Sequence, residues 1–245
     1  MRLRVDDPLA LELVVAIRQG DVLGLRRLLA ERPGLATARI EGARGGSRTP
    51  LHVVADWPGY FPNGPAVVQA LVAAGADPDA STEGRSAETP LHWAASSDDV
   101  DVARALLDAG ADPEAAGASI ADGTALDNAI GYACWHVARL LVERGARVEK
   151  LWHAAALGMT AHVEALIAAD PAPSPQDVTD AFYQACAAGQ RRTAEYLLAR
   201  GAELNGTPSW GGGRPLDAAS SPGTARQLLV EWLRGQGARP GGDDP

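Results

Sequence analysis

Residues 89–115 read TPLHWAASSDDVDVARALLDAGADPEA, and this stretch decides the fold. Thr89 suits a helix N-cap, and Pro90 suits the first helical turn, where a missing N–H costs nothing and φ is already set. The small-residue segment HWAAS follows. A second helical segment, VARALLDAG, carries the paired leucines Leu106 and Leu107 and ends at Gly110, a residue tolerant of positive φ.

The unit recurs. TPLH also stands at 49–52, GADPDA begins at Gly75, GADPEA at Gly110 and GARVEK at Gly145, so these glycines are 35 residues apart. From the turn threonine to the closing glycine is 21 residues for Thr89–Gly110 and Thr124–Gly145. The same offset joins Leu11 to Arg32, Glu149 to Asp170, Asp180 to Gly201 and Arg214 to Gly235 in degenerate copies. Small residues such as Ala94, Ala95, Ala154, Ala155 and Ala185 let adjacent first helices approach. Leu106, Leu107, Leu140, Leu141, Leu197 and Leu198 make a deeper layer. No such unit buries its apolar face alone, so stability comes from stacking neighbours.

This pattern resembles the ankyrin repeat family, of a bacterial and irregular type, over roughly residues 8–236. The resemblance implies an all-α solenoid of about seven helix-turn-helix repeats with finger loops, starting near residues 11, 49, 89, 124, 149, 180 and 214. No sheet beyond finger hairpins is expected, and 237–245 is expected to be a disordered tail. The connection from Gly145 to Glu149 is four residues, against fourteen from Gly75 to Thr89, so one finger is nearly absent.

Composition sets limits on function. The 245 residues carry a net charge of −9, which repels phosphate backbones and argues against nucleic acid. Lys150 is the only lysine, an arginine bias that fits a GC-rich bacterial coding sequence. Two cysteines, Cys134 and Cys186, give neither a disulfide framework nor a metal spacing, and fit a reducing cytoplasm. The start MRLRVDDPLALELVVAI has arginines before an apolar run, but Asp6, Asp7 and Glu12 interrupt it, so it is not expected to be a signal peptide. No run is long enough to cross a bilayer, so no membrane partner is expected. No nucleophile elbow, phosphate loop or ordered triad is present, and no metal or cofactor is expected.

Candidate site residues come from repeat position. In the family resembled, the residue after the turn histidine points into the concave groove. That column is Val15, Val53, Trp93, Asn128, His153, Gln184 and Ala218. One helical turn on it runs Trp57, Ser97, Tyr132, Leu157 and Ala188. Trp57, Trp93 and Tyr132 are therefore expected to neighbour one another, with no packing role for Trp93. Repeat two is five residues longer, within DWPGYFPN at 56–63. Tyr60 and Phe61 make that loop unusually aromatic. Either it folds over the groove as a wall or it covers a small core of its own. His52 and His92 are expected to serve the turns, Trp135 the core, and Trp232 the end of the stack. Asp56, Asp98, Asp99 and Asp101 read as helix-start and surface charges that also favour a cationic partner.

The resemblance implies a protein-interaction module, expected to be monomeric and to hold a protein or peptide through Trp57, Tyr60, Phe61, Trp93, Asn128, Tyr132, His153 and Gln184. The alternative is a small-molecule or catalytic groove, with His153 as acid or base. A deep closed pocket would favour the small molecule, and a shallow open face the peptide.

Overall fold

A computed structural model describes residues 1–42, 45–84, 86–221 and 226–242. The helices come in pairs. Repeat one is α1 (Pro8–Gln19) and α2 (Val22–Glu31), and repeat two is α3 (Pro50–Val54) and α4 (Gly64–Ala73). Repeat three is α5 (Pro90–Ser96) and α6 (Val100–Asp108), and repeat four is α7 (Ala125–Gly131) and α8 (Trp135–Glu143). Then follow α9 (Leu151–Ala156) with α10 (Thr160–Ile167), α11 (Pro175–Ala187) with α12 (Arg191–Ala199), and α13 (Pro215–Ser220) with α14 (Gln227–Gly235).

The chain divides into two compact units, Met1–Arg147 and Val148–Pro245. The boundary falls inside the short connector where the sequence lacks a finger. In the first unit α1, α3, α5 and α7 pack in succession, and α2, α4, α6 and α8 form the parallel row behind them. Alanine makes the close approach possible: Ala94 and Ala95 of α5 are fully buried, as are Leu91 and Leu106. In the second unit α11 packs between α9 and α13, and α12 packs on α10. Phe182 is the bulkiest of its fully buried side chains.

The turn chemistry explains the TPLH repeat. The N–H groups of Thr49 and Thr89 donate to Nδ1 of His52 and His92, at 3.2 and 3.0 Å. On His52 the other ring nitrogen donates to the Glu88 carbonyl of the following finger, at 2.9 Å. One imidazole thus closes its own helix start and secures the next loop. In degenerate copies a carboxylate closes the start: Asp127 accepts from Thr124 N–H at 2.8 Å, and Asp217 from Arg214 N–H at 2.9 Å.

Three expectations change. A three-stranded sheet exists in which β1 (Arg2–Arg4) runs parallel to β2 (Arg39–Glu41), itself antiparallel to β3 (Ser47–Arg48). Only β2 and β3 are a finger hairpin; the N-terminal strand joins because Leu3 and Ile40 are both buried. Helix α11 starts at Pro175, ahead of the expected position near 180, because Ser174 and Asp177 form a capping box there. The expected disordered tail is held as far as Gly241, whose N–H donates to Asp217, while Arg239 N–H donates to Asn205. Residues 243–245 of that tail lie outside the described residues.

Cys134 and Cys186 are both buried and unbridged. Burial, with the Asp98 charge, pushes the Cys134 thiol up to about 11, and burial pushes Cys186 up as well. Both are expected to resist a thiol reagent at pH 8 in the native protein, and to titrate as two thiols in denaturant without prior reduction. A native intramolecular disulfide would contradict this placement.

Candidate binding cleft

Trp57 follows α3, Trp93 lies on α5 and Tyr132 follows α7, which places the three rings along one open cleft of about 490 Å³. Trp57 is 78% exposed and Tyr132 50% exposed, so the rims stand out into solvent. Asp56, Glu88, Ser96, Ser97 and Ser119 contribute the polar lining. The Tyr132 hydroxyl shares a 3.1 Å hydrogen bond with Ser119 Oγ.

Glu88 is held from one side. Its Oε1 accepts from Asn128 Nδ2 at 2.8 Å and Ser119 N–H at 3.1 Å, and its Oε2 accepts from Ser86 Oγ at 3.3 Å. Asn128 Oδ1 in turn accepts from Ile120 N–H at 3.1 Å. Trp93 is half-buried. His52 meets its ring edge-on at 5.0 Å between centroids, and the Arg48 guanidinium lies 5.9 Å from its centroid. Trp93 therefore does pack, contrary to expectation, and its truncation is not a pure surface change. It also borders a neighbouring cleft of about 440 Å³ beside Arg48, Ser47 and Glu83.

The column expected to face the groove is mostly enclosed. Val53 and Asn128 are fully buried, His153 is 3% exposed and Gln184 6% exposed. For Asn128 the cause is the preceding finger, whose Ser119 and Ile120 bond to its amide. His153 belongs to the second unit, where its ring lies 4.2 Å from that of Trp152. Buried in this way, it presents no open face for acid–base work.

The long loop does something else than wall the cleft, and neither Tyr60 nor Phe61 lines it. The Tyr60 N–H donates to the Asp99 carboxylate, and its hydroxyl donates to the Asp98 carbonyl in the next repeat. Phe61 lies beneath the Arg18 guanidinium of the preceding repeat, 5.5 Å from ring centroid to Cζ. Asn63 Nδ2 donates to the Gly20 carbonyl at 2.9 Å. The loop thus runs along the turns between paired helices and joins three repeats.

Three members of the acidic group are also spoken for. Asp98 accepts from the N–H groups of His136 and Val137 at 3.1 and 2.9 Å, at the start of α8. Asp99 caps α6 through Val102 N–H at 3.1 Å. Asp56 takes Arg18 at 2.7 Å and Arg48 at 2.8 Å. Asp99→Ala removes a helix cap and the loop's anchor together, so a loss of ~2 kcal/mol is expected in urea denaturation. A loss no larger than that of an exposed-site alanine would show that the anchor is idle.

Sequence reasoning passed over two features. In the second unit Trp210, 52% exposed, sits 6.2 Å from Trp152 and 6.1 Å from Tyr183 between ring centroids. The signal was available: Trp152 and Tyr183 both occupy turn-histidine positions. Glu88 had no such signal, since its partner Asn128 lies forty residues on. Among the described residues no group of His, Cys, Asp and Glu is arranged to hold a metal. None of the described helices is long and apolar enough to cross a membrane.

Comparison with known proteins agrees with this architecture. The family model described as ankyrin repeats (3 copies) matches residues 51–150. No curated protein sequence matches the chain. Among solved structures, the chain is similar to the ankyrin repeat domain of Bcl-3, described as a unique member of the IkappaB protein family. That similarity has a TM-score of 0.50 and 25% identity, and covers 91% of this chain and 97% of that one.

Proposed function

We propose, given that this chain is an ankyrin repeat protein, that it holds a protein or peptide segment in the Trp57–Trp93–Tyr132 cleft of its first unit. Ankyrin repeats are in general protein-interaction modules, and fold alone does not choose a surface. The observation that carries the choice is Trp57, a large indole 78% exposed at the mouth of a cleft with a second indole inside it. Large aromatics at the centre of an interface are common hot spots. The standing rims favour an extended segment over an enclosed small molecule.

Selecting peptides from a displayed library on the full chain tests this. Trp57→Ala is expected to leave stability within ~0.5 kcal/mol and to weaken the selected peptides by ~2 kcal/mol or more. Unchanged affinity for Trp57→Ala would place the site elsewhere.

A further inference from the structure

We infer that the anchor this cleft takes is an arginine side chain of the partner, an assignment that rests on the cleft being the binding site. The charges lining it are two carboxylates, Asp56 and Glu88, and no lysine or arginine lines it. Asp56 is already neutralised by Arg18 and Arg48. Glu88 is different. Its hydrogen bonds come from an amide, a backbone N–H and a hydroxyl, all neutral, and no cation among the described residues pairs with it. Asn128, fully buried, fixes Oε1 and leaves Oε2 with a single bond at 3.3 Å.

A negative group is thus held in place beside three aromatic rings, whose faces are themselves negative. Both features ask for a cation. An apolar anchor would desolvate the Glu88 carboxylate without a counter-charge, which is unfavourable. This protein already seats a guanidinium on a ring outside the cleft, Arg18 by Phe61, and Arg48 approaches the cleft's own Trp93 ring at 5.9 Å. Arginine suits the cleft better than lysine for two reasons. A planar guanidinium stacks on an aromatic face while its N–H fork reaches a carboxylate, and it is more weakly hydrated than an ammonium. In an open cleft the ammonium keeps its water. The net charge of −9 further favours a basic over an acidic partner.

The test uses the full, isotope-labelled chain and three acetylated, amidated pentapeptides: arginine, lysine or citrulline flanked by two glycines on each side. The readout is the indole N–H resonance of Trp57, assigned by substitution. Citrulline keeps the shape of arginine and removes its charge. The arginine peptide is expected to shift the resonance saturably, with a Kd about tenfold below that of the citrulline peptide. Glu88→Gln is expected to erase that difference and leave citrulline binding unchanged. Because Glu88→Gln touches the Asn128 network, Trp57→Ala at the exposed rim serves as a second variant, read on the Trp93 indole. It should weaken the arginine peptide without disturbing Glu88.

Equal binding of arginine and citrulline, tighter binding of lysine, or no saturable shift with arginine each overturns the assignment. None of these touches the cleft reading, which stands or falls on whether library-selected peptides respond to Trp57→Ala.

Discussion

Replacing His52 with alanine is expected to cost about 3–4 kcal/mol and to flatten the acid side of the stability profile. The side chain is fully buried. Its Nδ1 accepts from Thr49 N–H, its Nε2 donates to the Glu88 carbonyl, and its ring edge meets Trp93. Removing it leaves a cavity and two buried polar groups without their partner. Burial lowers its pKa from 6.5 to about 4, assisted by the charges of Arg39 and Arg48 and opposed by the bond to Glu88. In the unfolded chain the ring protonates near its ordinary value of about 6.5. Between these limits the unfolded state binds more protons, so stability falls as pH falls. The stabilisation is whole above about 6.5 and is lost by about 4, amounting to ~3 kcal/mol. Burial lowers the pKa of His92 too, so it acts in the same direction. Urea midpoints measured from pH 7 to pH 4 should drop steeply for the native chain and less steeply for His52→Ala. Parallel profiles would mean that His52 is not the group being titrated.

Phe182→Ala should be at least as damaging, at ~3–5 kcal/mol. Phe182 stands where the repeat places leucine, one residue before Tyr183, and has no exposed surface. Around it the second unit gathers Leu151, Val163, Ala185, Leu197 and Leu216 into one cluster. Most of the cluster's buried members are alanine, valine or leucine, so refilling the space left by a phenyl ring would require the larger Trp152, Tyr196 or Trp232 at its edge to repack. Phe182→Leu keeps most of the volume and should cost less than ~1.5 kcal/mol. Cys186 belongs to the same cluster and gives a local reporter, because its thiol should become reactive at lower urea in Phe182→Ala. Near-native reactivity would mean that the cluster repacks around the loss.

What the sequence revealed and what it hid divide by distance along the chain. Helix pairs form at all seven expected copies because each is written locally, from turn residue to the end of the second helix within 21 to 26 positions. Trp57 and Tyr132 stood out for the same reason, as rings that repeat position places in one column. The β1 strand was illegible since Leu3 pairs with Ile40, far along the chain, and no local pattern names that partner. Glu88 stayed hidden because its role depends on Asn128 and Ser119 in a later repeat and finger. The loop around Tyr60 was legible as a departure but not as a connection. Its aromatic content suggested a wall, and only the positions of Asp98, Asp99 and Arg18 show what it meets.

That loop gives repeat two an address. Arrays of this kind grow and shrink by copying units, and an ordinary unit fits beside any neighbour of the same shape. Repeat two does not. Its Asn63 needs the Gly20 carbonyl, its Phe61 needs Arg18, and its Tyr60 needs both aspartates of the turn after α5. Moved elsewhere in the array, it would lose Arg18 and both aspartates, so duplicating or excising this one unit breaks contacts in both neighbours. The order of repeats one to three is thereby frozen, and shuffling of the array is left to copies without such a tether.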